Sequence, residues 1–460
     1  MEELSVIQKS AAGTARAIRE GEITSEEFVS ASIEQIDAHE ERIGAWTYLN
    51  RDYALNQARE ADLAREEGKP LGPLHGVPVG IKDIFDTADM PTEDGTSLHA
   101  GRQPLADASV VQLLRAAGAV NMGKTVTTEM ACYAPGKTAN PHDPSRTPGG
   151  SSSGSAAAVA SYMVPLAVGT QTNASVIRPA SYCGIHGFKP SHGFISRHGI
   201  LSLSRFLDQV GVFARSLEDL ALIAEVLMGH DDLDPDMRVR SHPHLVETAM
   251  DEPPVTPRLA FVKSPVWDQA DEDVQGGFEE LIEHLGEDAG EVELSDYFDD
   301  AVDWHHTIME ADIAKNFRSE YDRGKEKLSP NLREMIERGQ KVLAVDYVRA
   351  MDQRANLNGL LSQVFQMYDA IITPAATGEA PEGLDSTGSP IFCTIWTLCG
   401  VPSVTLPILE GSSGMPIGIQ LIGPMGDDAR LLRTARWLEG VAAGGGGAPS
   451  EPPAAAMDED

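Results

Sequence analysis

Three separated segments contain a lysine and serines in settings that suit nucleophilic catalysis. They are GVPVGIKD at 76–83, TPGGSSSGSAAAVA at 147–160 and GTQTNASVIRPASYCG at 169–184. A serine hydroxyl is a weak nucleophile and needs a base within hydrogen-bond reach. A lysine can be that base when burial lowers its pKa and keeps it neutral. Lys82 ends a short apolar run, bounded by Gly and Pro, that predicts a buried strand. The residue types therefore predict serine chemistry assisted by this lysine.

The order and spacing of these segments resemble the amidase signature family of serine-dependent amide hydrolases, and within it a subgroup carrying GTQTxxSVIRP. Segments such as NPHDPSRTPGG, FKPSHG, DQVGVFARSLED and PIGIQLIG extend the resemblance over nearly the whole chain, to about residue 438. The resemblance implies that Ser175 is the nucleophile, that Ser151 relays its proton from a cis peptide bond, and that Lys82 is the base. It also implies an oxyanion hole formed by the backbone N–H groups of Thr172, Asn173, Ala174 and Ser175.

The resemblance implies an α/β fold in which a large mixed β-sheet lies between α-helices. It also implies hydrolysis of amide C–N bonds through an acyl-enzyme, with no cofactor. Our main prediction is an amidase for small neutral aryl or aliphatic amides, with esters and carbamates open to the same chemistry. Two alternatives stay open: the glutaminase subunit of a tRNA-dependent amidotransferase, and a catalytically inactive binding homologue. The presence of all three catalytic residue types argues against the second alternative.

The segment around the predicted nucleophile departs from the pattern of many relatives. They carry Asp-x-Gly-Gly-Ser, whereas this chain has Gln171 through Ser175 in the form Gln-Thr-Asn-Ala-Ser. Because Ala tolerates positive φ poorly, we expect either ordinary backbone angles at Ala174 or an altered oxyanion loop. These changes argue against the glutaminase alternative. Arg178 falls one place later than in the Ser-x-Arg-x-Pro form, and we predict that it is structural rather than a clamp for a substrate carboxylate.

A substrate pocket is the least specific of the predictions. Candidates for an apolar acyl or aryl pocket are Met130, Tyr133, Phe392, Ile395 and Trp396, for which ordinary core positions are at least as good an explanation. Gln171 is a further candidate for substrate binding. Glu93 and Asp94 follow the base motif closely, so we expect negative charge near the mouth of the site. That charge would favour neutral over anionic substrates.

Two short motifs suggest other enzymes and are rejected on context. Residues 118–125, GAVNMGKT, match the P-loop expression, but that loop needs a strand before it and a helix after it. Here a predicted helix comes first and a predicted strand follows. Residues 150–154 match GxSxG with Ser152 at the centre, but a nucleophile elbow needs an apolar strand upstream. The upstream segment is instead a Pro-rich loop, so neither motif is interpreted as functional.

Composition excludes several other classes of protein. The 460 residues include 70 acidic and 36 basic side chains, a net charge of −34, which repels phosphate backbones and anionic membrane surfaces. We therefore predict no nucleic-acid or membrane partner. The resemblance implies a small-molecule amide or carbamate substrate, and we expect a monomer or homodimer. The four cysteines lack metal or redox spacing and are expected to be buried and reduced. His305 and His306 are expected on a solvated helix face, and no metal site is predicted.

Helix and strand signals alternate as far as about residue 230, which predicts an α/β core with a buried sheet. An Asp- and Pro-rich stretch at 231–256 predicts a surface connection. We predict one domain over 1–440 with a mainly helical, substrate-side subdomain at about 296–368, and a disordered acidic tail at 441–460. The N-terminus carries no basic or apolar leader, so a cytoplasmic location is expected.

Overall fold

One continuous sheet of eleven strands organises the computed structural model, which describes residues 6–444. The strands are β1 (Trp46–Leu49), β2 (Pro78–Lys82), β3 (Val120–Thr125), β4 (Leu166–Gln171), β5 (His186–Lys189), β6 (Gln209–Ala214), β7 (Leu259–Val262), β8 (Ala289–Val292), β9 (Ala370–Pro374), β10 (Ser403–Glu410) and β11 (Pro416–Ile422). Their order across the sheet is β1-β3-β2-β4-β6-β5-β10-β11-β9-β7-β8. Parallel pairs such as β2 with β4 and antiparallel pairs such as β4 with β6 make the sheet mixed.

Fifteen α-helices accompany the sheet within the described range. They are α1 (Ala11–Glu20), α2 (Ser25–Ile43), α3 (Arg51–Glu66), α4 (Ser109–Ala116), α5 (Ser153–Ala160), α6 (Ile177–Tyr182), α7 (Leu217–Leu227), α8 (Leu245–Met250), α9 (Glu272–Leu285), α10 (Ala301–Asn316), α11 (Arg318–Gly324), α12 (Pro330–Gly339), α13 (Ala344–Val364), α14 (Ile391–Cys399) and α15 (Asp428–Ala442). The predicted α/β class with a large mixed sheet is confirmed.

Local sequence signals explain where several helices begin and end. Helix α2 begins with a capping box, in which Thr24 Oγ1 accepts from Glu27 N at 3.0 Å and Glu27 Oε2 accepts from Thr24 N at 2.7 Å. Helix α4 ends just before Gly118, whose φ of +82° suits glycine. Strand β3 follows directly. The helix-before-strand order that excluded a P-loop at 118–125 is therefore observed.

Strands β2 and β4 bring the candidate catalytic segments to one edge of the sheet. They are parallel neighbours, with Ile81 in register with Val168, and every residue in both strands is buried. Because parallel strands end on the same side, the loops after Lys82 and after Gln171 start close together. The buried sheet thus sets the position of the base and of the candidate nucleophile loop.

Helix α5 follows the serine-rich loop and packs very tightly against the chain. A Cβ atom on Gly154 would lie 2.2 Å from Ala45 O and 2.4 Å from Val126 N, so only glycine fits there. The next three alanines have no exposed surface. This close packing fixes the serine-rich loop against β3 and β4.

Helices α10 to α13 occupy the segment predicted to be mainly helical, and α10 packs against α12, α13 and α14. The expectation that His305 lies on a solvated face of this segment was wrong. His305 is 0% exposed, and its Nε2 lies 2.9 Å from the carbonyl oxygen of Thr172. Its neighbour His306 is partly buried. The segment therefore reaches the candidate nucleophile loop directly.

The remaining expectations have mixed outcomes. The stretch at 231–256 contains the short helix α8, whose Leu245 and Ala249 are buried, so it is not only a surface connection.

All four cysteines are buried and free, as predicted. Helix α15 continues to Ala442, two residues into the predicted tail, and 445–460 lie outside the described residues. Over residues 6–444, no helix is long and apolar enough to cross a membrane, and no cluster of metal-binding side chains is found.

Candidate active site

Lys82 ends β2 with its ammonium group enclosed by hydroxyls. Its Nζ donates to Ser151 Oγ at 2.8 Å and to Thr170 Oγ1 at 2.9 Å, and the residue is 0% exposed. Within residues 6–444 it forms no ion pair. Burial lowers the pKa of Lys82 to about 7, although the charge of Asp208 acts in the opposite direction. A substantial fraction of Lys82 is therefore neutral near pH 7 and able to accept a proton.

The serine-rich loop presents one hydroxyl to this lysine and uses the others to hold itself in place. The Gly150–Ser151 peptide bond is cis, as the resemblance implies. Ser152 Oγ accepts from Thr170 N at 3.3 Å and Ser153 Oγ donates to Gly149 O at 2.8 Å. Ser152 is 0% exposed, which is incompatible with its being an exposed nucleophile in a GxSxG elbow. Ser151 is thus the serine of this loop that contacts the base.

Ser175 lies on the loop between β4 and α6 and shares a cavity wall with Ser151. Over the described residues no hydrogen bond joins the two hydroxyls. Such contacts are often long in unliganded sites and shorten when substrate binds. Neither Asn173 nor Ala174 has a positive φ, so of the two expectations for this loop, ordinary backbone angles are observed.

The loop before Ser175 has a row of unused backbone donors. The N–H groups of Thr172, Asn173, Ala174 and Ser175 donate to no acceptor in the described part of the chain. All four residues line the same cavity. Unpaired N–H groups in a loop that lines a cavity beside a serine can stabilise an oxyanion.

The Gln171 side chain stabilises the backbone that follows this loop. Its Oε1 accepts from Val176 N at 2.9 Å and from Ile177 N at 3.0 Å, where α6 begins. Its Nε2 donates to Thr397 Oγ1 at 3.0 Å. These contacts direct the Gln171 side chain away from the cavity, so its predicted contact with substrate has no geometric support.

One cavity lies beside the Ser175 loop. Its wall includes Ser151, Thr172, Asn173, Ala174, Ser175, Arg178, Ala131, Cys132, Tyr133, Leu203, Met309, Ile313 and Met335. Of the predicted pocket residues, Tyr133 lines the cavity, where its hydroxyl accepts from Asn173 Nδ2 at 3.0 Å. Met130, Phe392, Ile395 and Trp396 are buried elsewhere, which is the ordinary core explanation.

Most of the apolar residues in the cavity wall were not predicted from the sequence. Met309 and Ile313 come from α10 and Met335 from α12, while Leu203 comes from the loop before β6. These residues have the spacing of any helix that packs on a core, so periodicity alone could not separate them from core positions. Cys132 is no rival nucleophile, because burial raises the pKa of its thiol and keeps it protonated.

Arg178 is buried among protein acceptors. Its Nη1 donates to Gly388 O at 2.6 Å, and its Nη2 donates to Gly150 O at 2.7 Å and to Thr387 Oγ1 at 3.1 Å. These contacts tie α6 to the serine-rich loop and agree with a structural role. Arg178 is also the one charged side chain in the cavity wall.

The expected acidic mouth is not observed. Asp94 is 2% exposed, and its carboxylate lies 2.8 Å from His99 Nδ1. Glu93 Oε1 accepts from Gly101 N at 2.6 Å. Neither residue lines the cavity. The argument for neutral substrates from these two charges therefore fails, because both carboxylates are used within their own loop.

Asp208 is a further residue whose place beside the site was not predicted. It begins the segment DQVGVFARSLED, which was used only for the resemblance. Its Oδ1 accepts from Thr172 Oγ1 at 2.6 Å, and its Oδ2 accepts from Leu203 N and Ser204 N. Burial raises the pKa of Asp208 to about 6. Asp208 thus connects the loop that carries the unused N–H donors with the apolar wall at Leu203.

The lysine with two hydroxyl partners and the row of free N–H groups, carried by the mixed sheet, are compatible with serine-type acyl transfer. A family model described as Amidase matches residues 27–432. The chain belongs to the amidase family, and this membership supports an amide-cleaving enzyme.

Individual relatives agree with the family. A glutamyl-tRNA(Gln) amidotransferase subunit from Chloroflexus aggregans is 34% identical, over 94% of this chain and 96% of that protein. Native peptide amidase from Stenotrophomonas maltophilia matches with a TM-score of 0.81 and 27% identity, over 96% and 98% of the two chains. A chain from a vestigial protein complex linked to the origins of an s-triazine catabolic enzyme gives a TM-score of 0.88 and 27% identity, over 96% and 99%.

Proposed function

We propose that this protein hydrolyses amides through an acyl-enzyme on Ser175. The observation that carries the proposal is the buried Lys82, whose pKa is lowered to about 7 and whose Nζ contacts Ser151 beside a row of free N–H groups. A neutral amine next to a relay hydroxyl supplies the base that a serine nucleophile needs. The free N–H groups supply donors for the charge that develops on the substrate oxygen.

Acylation begins with the neutral form of Lys82. Ser175 Oγ attacks the amide carbonyl carbon while its proton moves to Ser151 Oγ, and the Ser151 proton moves to Lys82 Nζ. The tetrahedral oxyanion accepts hydrogen bonds from the N–H groups between Thr172 and Ser175. The C–N bond then breaks, and the Lys82 proton returns through Ser151 to the leaving nitrogen. Ammonia or an amine departs, and the acyl group remains as an ester of Ser175.

Deacylation uses the same groups in reverse. A water molecule attacks the ester carbonyl and gives one proton through Ser151 to Lys82. The ester C–O bond breaks as Ser175 Oγ takes that proton back through Ser151. The carboxylic acid leaves, and both serines and the neutral lysine are restored. Esters and carbamates fit the same cycle, because each presents a carbonyl with a leaving group.

The cavity wall supports a small uncharged acyl group. Its apolar part is formed by Leu203, Met309, Ile313 and Met335, and no carboxylate lines it. Contact with this apolar part of the wall would desolvate a compact aryl or aliphatic acyl group. A free amino acid would bring an α-ammonium group to a wall that has no acidic partner for it. This supports hydrolysis of small neutral amides.

A second candidate is hydrolysis of glutamine as one component of a tRNA-dependent amidotransferase. Its support is the name of the curated relatives, which are 30% to 34% identical over more than nine-tenths of this chain. On the comparisons alone, this candidate has better support than the small-amide candidate. In this role Ser175 would release ammonia from the glutamine side chain, and other subunits would use it.

A substrate panel with the purified chain tests both candidates. It contains aryl anilides, aliphatic amides, esters, carbamates, glutamine and a carboxylate-bearing amide, all at one pH near 8. Partner-free hydrolysis of anilides or aliphatic amides at rates well above glutamine supports the small-amide candidate. Hydrolysis of glutamine alone supports the glutaminase candidate. A clear preference for the carboxylate-bearing amide contradicts the neutral preference, and Arg178 would then be the first residue to test.

A catalytic-residue control tests the shared mechanism. A fluorophosphonate should label Ser175 in the wild type and should leave Ser175→Ala unlabelled, as read by intact-protein and peptide mass spectrometry. If a folded wild type forms no adduct and hydrolyses no member of the panel, the proposal that the chain alone hydrolyses small amides through Ser175 is wrong.

A further inference from the structure

Two side chains donate hydrogen bonds to carbonyls of the backbone that carries the free N–H groups. His305 Nε2 donates to Thr172 O at 2.9 Å, and Thr397 Oγ1 donates to Asn173 O at 2.6 Å. These are consecutive carbonyls of the loop that ends at Ser175. We infer that His305 is a positioning residue that aims the Asn173 N–H at the substrate oxyanion. The inference rests on the proposed function.

Peptide geometry connects the two ends of this contact. The carbonyl of Thr172 and the N–H of Asn173 belong to one planar peptide unit, in which they point in opposite directions. A donor fixed on the carbonyl side therefore fixes the direction of the N–H on the other side. His305 lies on α10 and does not line the cavity, whereas Asn173 does. On this inference, the hydrogen bond from His305 aims the Asn173 N–H at the cavity and polarises it.

Thr397 acts in the same way on the next peptide unit. Its hydroxyl donates to the Asn173 carbonyl, which shares a peptide with the Ala174 N–H. Gln171 Nε2 donates to that hydroxyl in turn and so leaves the Thr397 proton directed at the carbonyl. Two successive N–H donors are therefore oriented by two side chains from α10 and α14, which pack against each other.

The state of His305 is set by its surroundings. A carbonyl can only accept, so Nε2 carries the proton. The ring is 0% exposed, and burial lowers its pKa to about 3, with the neighbouring His306 acting in the same direction. Its Nδ1 has no partner within residues 6–444. His305 is also absent from the cavity wall, so it has no access to substrate as an acid or base. In the described part of the chain, the hydrogen bond to Thr172 is the one hydrogen bond of the His305 side chain.

Substitutions at position 305 separate this role from a packing role. His305→Leu removes the donor, His305→Gln places an amide N–H at a similar reach, and His305→Asn places it about one methylene short. His306→Leu is the matched control on the same helix, because the His306 side chain forms no hydrogen bond within the described residues. Two measurements are needed: the rate constant for labelling of Ser175 by an alkyl fluorophosphonate, and kcat and KM for the fastest amide of the panel. The labelling rate does not depend on knowing the natural substrate.

We expect His305→Leu to lower kcat and the labelling rate by roughly 10- to 100-fold. This decrease is smaller than the one expected when an oxyanion donor is removed altogether. KM and the pH midpoint near 7 should stay the same, because neither substrate binding nor Lys82 is changed. His305→Gln should regain most of the rate, His305→Asn should not, and His306→Leu should stay within about 2-fold of wild type.

The inference is overturned if folded His305→Leu labels and turns over like wild type, if it matches His306→Leu, or if its loss appears in KM alone. If His305→Leu does not fold, His305→Gln and His305→Asn decide the question, and equal rates for these two overturn the inference. Failure of the proposed function appears differently, as a wild type that is neither labelled at Ser175 nor active.

Discussion

Two buried lysines on neighbouring strands have opposite surroundings. Lys82 on β2 and Lys124 on β3 are both 0% exposed. Lys82 contacts two hydroxyls, those of Ser151 and Thr170. Lys124 pairs with the carboxylate of Asp83 at 3.0 Å and donates to two backbone carbonyls. The same residue type is thus placed beside neutral partners in one region and beside a charge in the other.

The register of the strands produces this separation. Lys124 is in register with Ile81, so its side chain lies on the face opposite that of Lys82. Asp83, the residue after Lys82, alternates to the same face as Lys124 and pairs with it. The carboxylate next to Lys82 in sequence is therefore used by another lysine. Lys82 therefore has no carboxylate partner from its own strand. Burial is the main influence on its pKa, and it can lose its proton near pH 7.

A third lysine shows that a lowered pKa is insufficient for catalysis. Lys189 is 0% exposed, and burial lowers its pKa to about 7. Its Nζ donates to Gln209 Oε1 and to Val401 O. Within residues 6–444 it has no serine hydroxyl partner, and it does not line the cavity. The relay hydroxyl of Ser151, together with the neutral lysine, distinguishes the candidate base from a buried structural lysine.

The largest expected effect is that of Lys82→Met on activity. It removes the base, so kcat should fall by about 10³-fold or more, while fluorophosphonate labelling of Ser175 slows in parallel. The substitution should not lower the free energy of unfolding. The pKa of Lys82 is lower in the folded than in the unfolded state, so the folded protein disfavours the charged lysine. The contribution of Lys82 to stability is therefore least favourable below pH 7 and becomes more favourable as pH rises toward 10.5. The melting temperature of Lys82→Met at pH 6 should therefore equal or exceed that of wild type. Wild-type turnover by this variant would exclude Lys82 as the base.

Lys124→Met should give the opposite result. It leaves the Asp83 carboxylate buried and unpaired, which should lower the free energy of unfolding by about 3 to 5 kcal/mol in urea titrations. Adding Asp83→Asn should recover part of that loss, because the remaining buried group is then uncharged. The fraction that folds should retain kcat within about 10-fold. A stable Lys124→Met protein that has lost activity would reverse the roles assigned to the two lysines.

The sequence was sufficient for the parts of the site that local chemistry determines. Lys82 at the end of an apolar strand and the Gly- and Ser-rich loop were predicted from short segments, and the α/β class followed from the alternating pattern. The N–H groups before Ser175 and the large mixed sheet were implied by the family resemblance. The catalytic roles of these residues stay predictions. Local composition is informative here because strand ends and Gly-rich turns have strong sequence signals.

Long-range partners could not be predicted in the same way. His305 was expected in solvent, although it reaches Thr172 across 133 positions in the sequence. The charges of Glu93 and Asp94 were assigned to the cavity because they follow Lys82, although the turn directs both into their own loop. Such contacts depend on how helices and loops pack against the sheet. A single sequence carries no pattern that distinguishes those packings.

The pH dependence of kcat/KM in wild type and in Asp208→Asn tests which groups determine the pKa of Lys82. For wild type, kcat/KM should rise with pH and level off above about 7, because only neutral Lys82 accepts the proton. The Asp208 carboxylate favours the charged form of Lys82. Asp208→Asn should therefore move the midpoint to lower pH, by roughly half a unit to one unit. The limiting rate can also fall, because Asp208 holds Thr172, so the midpoint is the quantity to compare. A midpoint that moves to higher pH would show that Asp208 does not act on Lys82 by charge.

The smallest expected effect is that of Thr170→Val, which removes the second hydroxyl partner of Lys82 and keeps the shape of the side chain. Because this hydroxyl accepts from the ammonium form, its loss should lower the pKa of Lys82 and shift the midpoint of kcat/KM slightly to lower pH. The freed amine is also less well aligned on Ser151, so kcat should fall by roughly 2- to 10-fold. Thr125→Val is the matched control. Thr125 is in register with Lys82 on β3, but its hydroxyl contacts Ser155, and its removal should leave the pH midpoint unchanged. Equal shifts in the two variants would mean that the pKa of Lys82 responds to general loosening of the site and not to its own partners.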